Sequence, residues 1–434
     1  MAVEIFIVSI YALFCITNNP KRIILSIFLL LPIHGFVKFA LFPDSGSIFS
    51  IWKEIGILIA LFKLRSVKAV PTQLHRAVFG FVALVLFFAI IGIVGHLSFM
   101  GDVRKYIFAI PLLYVVQKID YTRADVKKLI SCILFGSAVI NFTGVVDFLS
   151  PEIRLIMRTI MGAEFQIAAD GTVYYDISSY KIMGLDRVCG FMGGGPNMMG
   201  VFNASVFLLS VYSYVNRLYV QKLEKLLFYL ALALCVFCLI LSFSRAGWAL
   251  VFITFFYVAM SMPKYRKTAI AAGLVGLFLG VIFYFTVESV QTVVDGTLSG
   301  NEASSAERGN MTRASWKYLL ENPFGYGLGA TDNVSDNFVY FAESTMINMG
   351  IATGILGVFL YSYLIFSIYK LAKRNRYNSF YLIAPGFIFA YYITAWVSVN
   401  VVENPFLYYA WLIFGLGLNK NLRCKCQKET RNTL

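Results

Sequence analysis

The run from Leu226 to Phe243 reads LLFYLALALCVFCLILSF, eighteen residues without a charge. Ser244-Arg245 then separates it from a second apolar run that begins at Ala246-Gly247. A helix crossing a bilayer core needs about 20 predominantly apolar residues. In lipid only helices and closed barrels satisfy their own backbone groups, and a run without alternation excludes the barrel. Working outward, the same pattern repeats along the chain. Towards the N-terminus, spans are expected over 129–148, 106–116 (short), 77–95, 51–62 (interrupted by Lys53-Glu54), 23–42 and 3–17. Span 197–215 precedes the run, and 268–287, 345–369, 381–399 and 405–418 follow the one opening at Ala246. The count is about 12–13 crossings by length.

Composition agrees. Hydrophobic residues make up 59% of the chain and charged residues 14%, where soluble domains carry about 25% charge. The sequence predicts an all-α polytopic integral membrane protein: one bundle over residues 1–434, with no internal repeat or second domain. No cleavable secretory signal is expected, since neither a basic leader nor a small-residue cleavage site accompanies the first apolar segment.

The net charge of +14 does not point to nucleic acid. Of the 37 Lys and Arg, 25 fall on alternate connectors and the C-terminal tail, and cytoplasmic loops collect such residues. This orientation puts the tail in the cytoplasm, and the N-terminus and both long polar loops (149–195 and 288–343) outside. Arg104-Lys105 is the one basic pair on the wrong side. Seven cysteines are scattered, with only Cys189 in an external loop, so no disulfide framework follows. Cys424-Lys425-Cys426 supplies too few ligands for zinc.

Three places could carry chemistry. Arg245 lies at the external end of two spans, where positive charge is disfavoured. Its guanidinium either snorkels from a turn or clamps an anion with a fixed fork that never loses charge. The run Met183 to Asn197 enters a span from outside, with Arg187, a string of glycines and Pro196 as a first-turn residue. Arg187 there either meets an anion or pairs with Asp186. The larger loop holds eight of the 23 carboxylates, the basic residues Arg308, Arg313 and Lys317, and the run Asn322-Pro323-Phe324-Gly325-Tyr326-Gly327-Leu328-Gly329. One short amphipathic helix is expected around Arg313, Trp316 and Leu319-Leu320. Asp336 and Glu343 follow as carboxylates that could serve as a base or merely cap a helix or sit at the rim. His34, His75 and His96 are isolated and lie outside both loops.

In this order, Arg187-x-x-Gly190…Pro196-Asn197, Ser244-Arg245-x-Gly247 and Arg313-x-x-Trp316…Asn322-Pro323-Phe324-Gly325-x-Gly327-x-Gly329, with Gly350-Ile351…Gly354 beyond, resemble the O-antigen polymerase/ligase superfamily of bacterial membrane glycosyltransferases. The resemblance covers roughly residues 187–357. It implies a bundle of about 12 spans in the bacterial plasma membrane, with its cavity open to lipid near the outer face. It also implies transfer of a glycan from undecaprenyl diphosphate without metal, cofactor or nucleotide sugar. Arg187, Arg245 and Arg308 would then hold the diphosphate, and Arg313, Asp336 and Glu343 would serve catalysis. The partners implied are an undecaprenyl-diphosphate-linked oligosaccharide, membrane lipid, a chain-length regulator and a flippase. Ligases of the family resemble one another in a His-Asn pair beyond the glycine turn. Here that place reads Ser335-Asp336-Asn337, with Glu343-Ser344 further on, which favours a polymerase using a lipid-linked acceptor over a ligase. A lipid-linked glycan flippase is the alternative from another class; it lacks support from internal repeats or midplane helix breaks.

Overall fold

The computed structural model describes residues 2–42, 48–67, 72–160, 165–167, 173–175, 181–182, 185–263, 266–267, 270–271, 303–331 and 342–422. Most of the expected span 268–287, all of Asp336 and the Cys-Lys-Cys tail lie outside these residues.

Among the described residues the protein is almost wholly helical. The N-terminal half comprises α1 (Ala2–Thr17), α2 (Pro20–Leu30), α3 (His34–Leu41), α4 (Trp52–Lys63), α5 (Thr72–Val94), α6 (Met100–Tyr106), α7 (Ile110–Lys118), α8 (Arg123–Leu149) and α9 (Pro151–Ile160). Then come two short hairpins, β1 (Phe165–Ile167) with β2 (Val173–Tyr175) and β3 (Lys181–Ile182) with β4 (Leu185–Asp186). The remainder is α10 (Gly195–Val215), α11 (Lys222–Leu241), α12 (Arg245–Ser261), α13 (Ala303–Glu321), α14 (Thr345–Arg374), α15 (Ile383–Ala395) and α16 (Phe406–Leu418). Six helical segments among the described residues are long and apolar enough to cross a membrane, and four shorter apolar helices accompany them. The chain is a multi-pass helical membrane protein.

Helix boundaries follow local chemistry. Thr122 and Asp125 form a reciprocal capping box at the start of α8. Asn19 caps α2, with Pro20 in its first turn. Pro196 occupies the first turn of α10, as the sequence predicts.

Two helices form the centre. Every residue of α16 is buried, as expected for a helix apolar on all sides. α10 is nearly as enclosed, packed against α8, α11, α12 and α16. The outer helices α5 and α11 keep most of their apolar surface exposed, including Phe79, Phe87, Leu226 and Leu230. A hydrocarbon solvent accounts for such faces. Small residues permit the closest approaches: a Cβ on Gly247 would sit 2.6 Å from the Gly200 backbone, joining α10 to α12.

Three expectations change in detail. The short segment 106–116 is mostly α7, preceded across a break at residues 107–109 by the separate helix α6. The helix of the large loop is longer than its apolar residues suggest, running 19 residues as α13. The loop 149–195 contains the amphipathic helix α9 as well as the hairpins.

Candidate active site

The C-terminal end of α8 begins the site. Asp147 is buried, and its Oδ2 accepts the backbone N–H groups of Cys189 at 3.0 Å and Gly190 at 3.2 Å. Thr143 Oγ1 accepts that of Phe191 at 3.1 Å. Gly190 has φ +52, and a Cβ there would lie 2.5 Å from the Thr143 hydroxyl. Only glycine fits this close approach without strain. The loop before α10 is thereby pinned to α8.

Arg187 joins that loop to the connection between α11 and α12. Its Nε donates to the Ser242 carbonyl at 2.8 Å and its Nη2 to the Asn197 side chain at 2.6 Å. Ser244 Oγ donates to the Asn197 carbonyl at 3.2 Å and accepts the N–H of Gly247 at 3.2 Å, capping α12. The starts of α10 and α12 therefore meet at Asn197 and Ser244, on a turn that Arg187 holds from beneath. Two helix N-termini brought together favour negative charge.

Arg245 opens α12 from this turn. It is exposed and, among the described residues, its guanidinium has no hydrogen-bond or ion-pair partner. A cation in a helix's first turn opposes the dipole, so local stability does not account for it. Phe243 just before it takes φ +47, and Trp248 Nε1 donates to the Leu239 carbonyl at 3.0 Å. The turn is tightly specified, with the Arg245 charge at its tip.

Arg187 does not pair with Asp186, the alternative open from the sequence. Asp186 Oδ2 instead meets Arg154 Nη1 at 2.5 Å, while Arg154 Nε donates to the Asp147 carbonyl at 2.9 Å. A backbone carbonyl freed at the end of α11 and the Asn197 amide are better placed for the Arg187 fork. Arg154 and Arg158 were not singled out in the sequence. They stand four residues apart on α9, hence on one helix face, and that spacing was the available signal. Arg158 is buried beside Cys189. Burial chiefly pushes the Cys189 thiol up, helped by the nearby Asp147 carboxylate and opposed by Arg158. Arg154 thus bridges the Asp147 and Asp186 carboxylates at 3.6 and 2.5 Å, with Arg158 buried nearby.

The glycine run of the large loop has a different role. The N–H groups of Tyr326 and Gly327 donate to the carbonyls of Ile351 (2.8 Å) and Ala352 (3.0 Å), and the N–H of Ile355 donates to the Pro323 carbonyl (2.9 Å). These groups are released where α14 breaks at Gly354, with φ 73 and ψ 178. Leu328 N–H reaches the Phe88 carbonyl and Gly329 N–H the Asp102 carboxylate. The run is a plug that satisfies a broken helix rather than a free phosphate cradle. Irregular backbone at membrane depth requires such internal partners.

Arg313 lies exposed on α13. Arg308 belongs to the same helix by its backbone. Glu343 is half-buried immediately before Ser344, which caps α14 by accepting the Ile347 N–H. Asp336 lies outside the described residues. The structure therefore holds Arg187 against the turn that bears Arg245 and places Arg313 and Glu343 on separate elements. Among the described residues no three His, Cys, Asp or Glu side chains gather as a metal site would need.

A second buried group escaped notice in the sequence. Glu54 Oε1 accepts from Arg104 at 3.1 Å and Tyr408 at 2.8 Å, with the fully buried Lys53 at 3.4 Å. Lys105 pairs with Asp102 at 3.6 Å. The basic pair that breaks the charge pattern is thus consumed by carboxylates within the bundle.

Residues 230–362 match the family model described as O-antigen ligase. The likeness to the O-antigen polymerase/ligase superfamily is shown over that segment. It contains the C-terminal part of α11, the Arg245 turn, α12, α13, the glycine plug and the break in α14; Arg187 lies outside it. A teichuronic acid biosynthesis protein, TuaE of Bacillus subtilis (strain 168), is 27% identical over 129 residues. That similarity covers 26% of this chain and 26% of the relative, so the chain spans about a quarter of that protein's length.

Proposed function

We propose that the protein is a polysaccharide polymerase. It would transfer a growing glycan from undecaprenyl diphosphate to a lipid-linked repeat unit at the outer face of the bacterial plasma membrane. The observation that carries this reading is Arg245: a guanidinium without a partner among the described residues, at two converging helix N-termini, within the segment that matches the O-antigen ligase family.

In the reaction the acceptor hydroxyl oxygen attacks C1 of the donor sugar. The bond from C1 to the phosphate oxygen breaks, and the diphosphate departs with the electron pair. Charge develops on that leaving group, and preorganised cations aimed at developing charge are the strongest catalytic devices of this kind. Arg245 would bind the diphosphate directly, with Arg187 holding the turn and adding its charge, and Arg308 reaching from α13. The hydroxyl proton would pass to Asp336 or Glu343, assisted by Arg313. No metal or cofactor enters this scheme. A chain-length regulator and a flippase would be the protein partners.

A ligase is the second reading, favoured by the description of the matched family. The lack of histidine in 288–343 weighs against a base like that of the ligases. The glycans of a deletion strain separate the two. Single repeats on the final acceptor without long polymer support the polymerase. Long polymer held on the polyprenyl carrier means a ligase, and repeats trapped on the cytoplasmic face sink both in favour of a flippase.

A further inference from the structure

At the opposite end of α10 from the Arg245 turn lies a half-open cavity of about 580 Å³. α10 has 21 residues, so the two ends are about 30 Å apart, the thickness of a bilayer core. The cavity is lined by Tyr214, Val220, Phe228 and Tyr229, with Arg217 and Lys225 among its walls.

The connection around it is built with care. Arg123 Nη2 donates to the carbonyls of Asn216 (2.6 Å) and Arg217 (3.1 Å). Lys127 pairs with Glu224 at 2.6 Å, and Glu224 Oε2 accepts the Val220 N–H at 3.3 Å. Tyr219 shares a hydrogen bond with Ser131 at 3.1 Å. Arg217 itself is held at φ +49, a conformation uncommon outside glycine. Every neighbouring charge named here is spent on fixing the loop. Arg217 and Lys225 are not: among the described residues neither side chain has a hydrogen-bond or ion-pair partner.

Two free cations over an aromatic floor match an amphiphile with a phosphate head. Arginine and lysine bind phosphate oxygens by charge-assisted hydrogen bonds. Tyrosine rings sit at the boundary between headgroups and hydrocarbon. We infer that this cavity binds the headgroup of an anionic glycerophospholipid, with Arg217 and Lys225 on the phosphate and the aromatic floor on the glycerol and first methylenes. The connector belongs to the basic set that positive charge orients toward the cytoplasm, so the lipid comes from that leaflet, where anionic headgroups attract such segments. The site is independent of the proposed reaction.

The test is thermal unfolding of the full chain in detergent, with phosphatidylglycerol, phosphatidylcholine of the same acyl chains, or sodium phosphate added. A ligand that binds only the folded state raises the midpoint. Phosphatidylglycerol should raise it by several degrees in the wild type, and the other two should not. Arg217→Gln with Lys225→Gln should abolish that rise. Lys222→Gln, on the same helix but outside the cavity lining, should keep it. An equal rise with phosphatidylcholine or phosphate, a rise retained in the double variant, or equal loss in Lys222→Gln would each overturn the assignment. If the double variant fails to fold, the exposed Lys225→Gln alone decides: an undiminished rise contradicts the site.

Discussion

Arg187 and Asn197 are joined at 2.6 Å, a bond that ties the loop before α10 to that helix's first turn, where the Asn197 carbonyl accepts from Ser244 in the turn that presents Arg245. Its loss should be felt at the turn before it is felt in the bundle. Asn197→Ala leaves a buried guanidinium short of an acceptor, and a hydrogen bond to a charged group is worth about 1.5–3 kcal/mol. We expect a lower unfolding midpoint together with reduced polymer output. A variant with unchanged midpoint and output would show that the bond positions nothing.

Arg187→Lys should not rescue Arg187→Ala. Arg187 uses two N–H groups of one planar fork to reach the Ser242 carbonyl and the Asn197 side chain, and an ammonium is a single point charge. Both variants should lose polymer output to a similar degree, read from glycan profiles of complemented deletion strains. Full activity in the lysine variant would mean that charge alone suffices there.

Gly247→Ala should destabilise the protein by about 1–3 kcal/mol, the usual cost of overpacking a close contact. The added Cβ would sit 2.6 Å from the Gly200 backbone, prising α12 from α10. Gly80→Ala, with no atom within 4 Å of the new methyl group, is the control and should be neutral in the same melt.

Much of this was legible in the sequence, and the reason is solvent. Eighteen uncharged residues ending in Ser244-Arg245 can only be a span meeting a boundary, and α11 and α12 fall there. Pro196 marks the start of α10 for the same local reason. What could not be read depends on partners distant in the chain. Gly354 sits in an apolar run that reads as one uninterrupted helix. Its break is visible only once Pro323, Tyr326 and Gly327 are seen taking its backbone groups. From the sequence an anion or Asp186 stands open as the partner of Arg187, and not the Ser242 carbonyl it meets, because a carbonyl at the end of another helix leaves no mark in sequence. Glu54, Arg104 and Tyr408 meet across more than 300 residues, beyond any pattern of spacing.

Gly354→Ala should disturb the candidate site from a distance. The residue takes φ 73, and a Cβ would lie 2.7 Å from the Pro323 carbonyl oxygen. A straightened α14 would expel the glycine plug from its partners. Limited proteolysis should then cut near residues 322–329 where the wild type resists. Equal resistance would show that the plug is held by other contacts.

Cys189 should be inert. Burial raises its thiol above the ordinary cysteine range, so the thiolate that reacts with maleimide stays scarce as pH rises through the range where an exposed cysteine ionises. Peptide mapping after labelling at mildly alkaline pH should find Cys189 unmodified in the folded protein and modified after denaturation. Rapid labelling of the folded protein would contradict its enclosure by Asp147 and Arg158.

The central claim is that Arg245 holds the departing diphosphate. The most direct measurement is the initial rate of glycan transfer in proteoliposomes supplied with the undecaprenyl-diphosphate-linked repeat. Wild type would be compared with Arg245→Ala at matched folding. Removing one preorganised group at developing charge costs about 100- to 1,000-fold in rate, and a loss of that order is the predicted result. A rate within twofold of wild type would contradict the account.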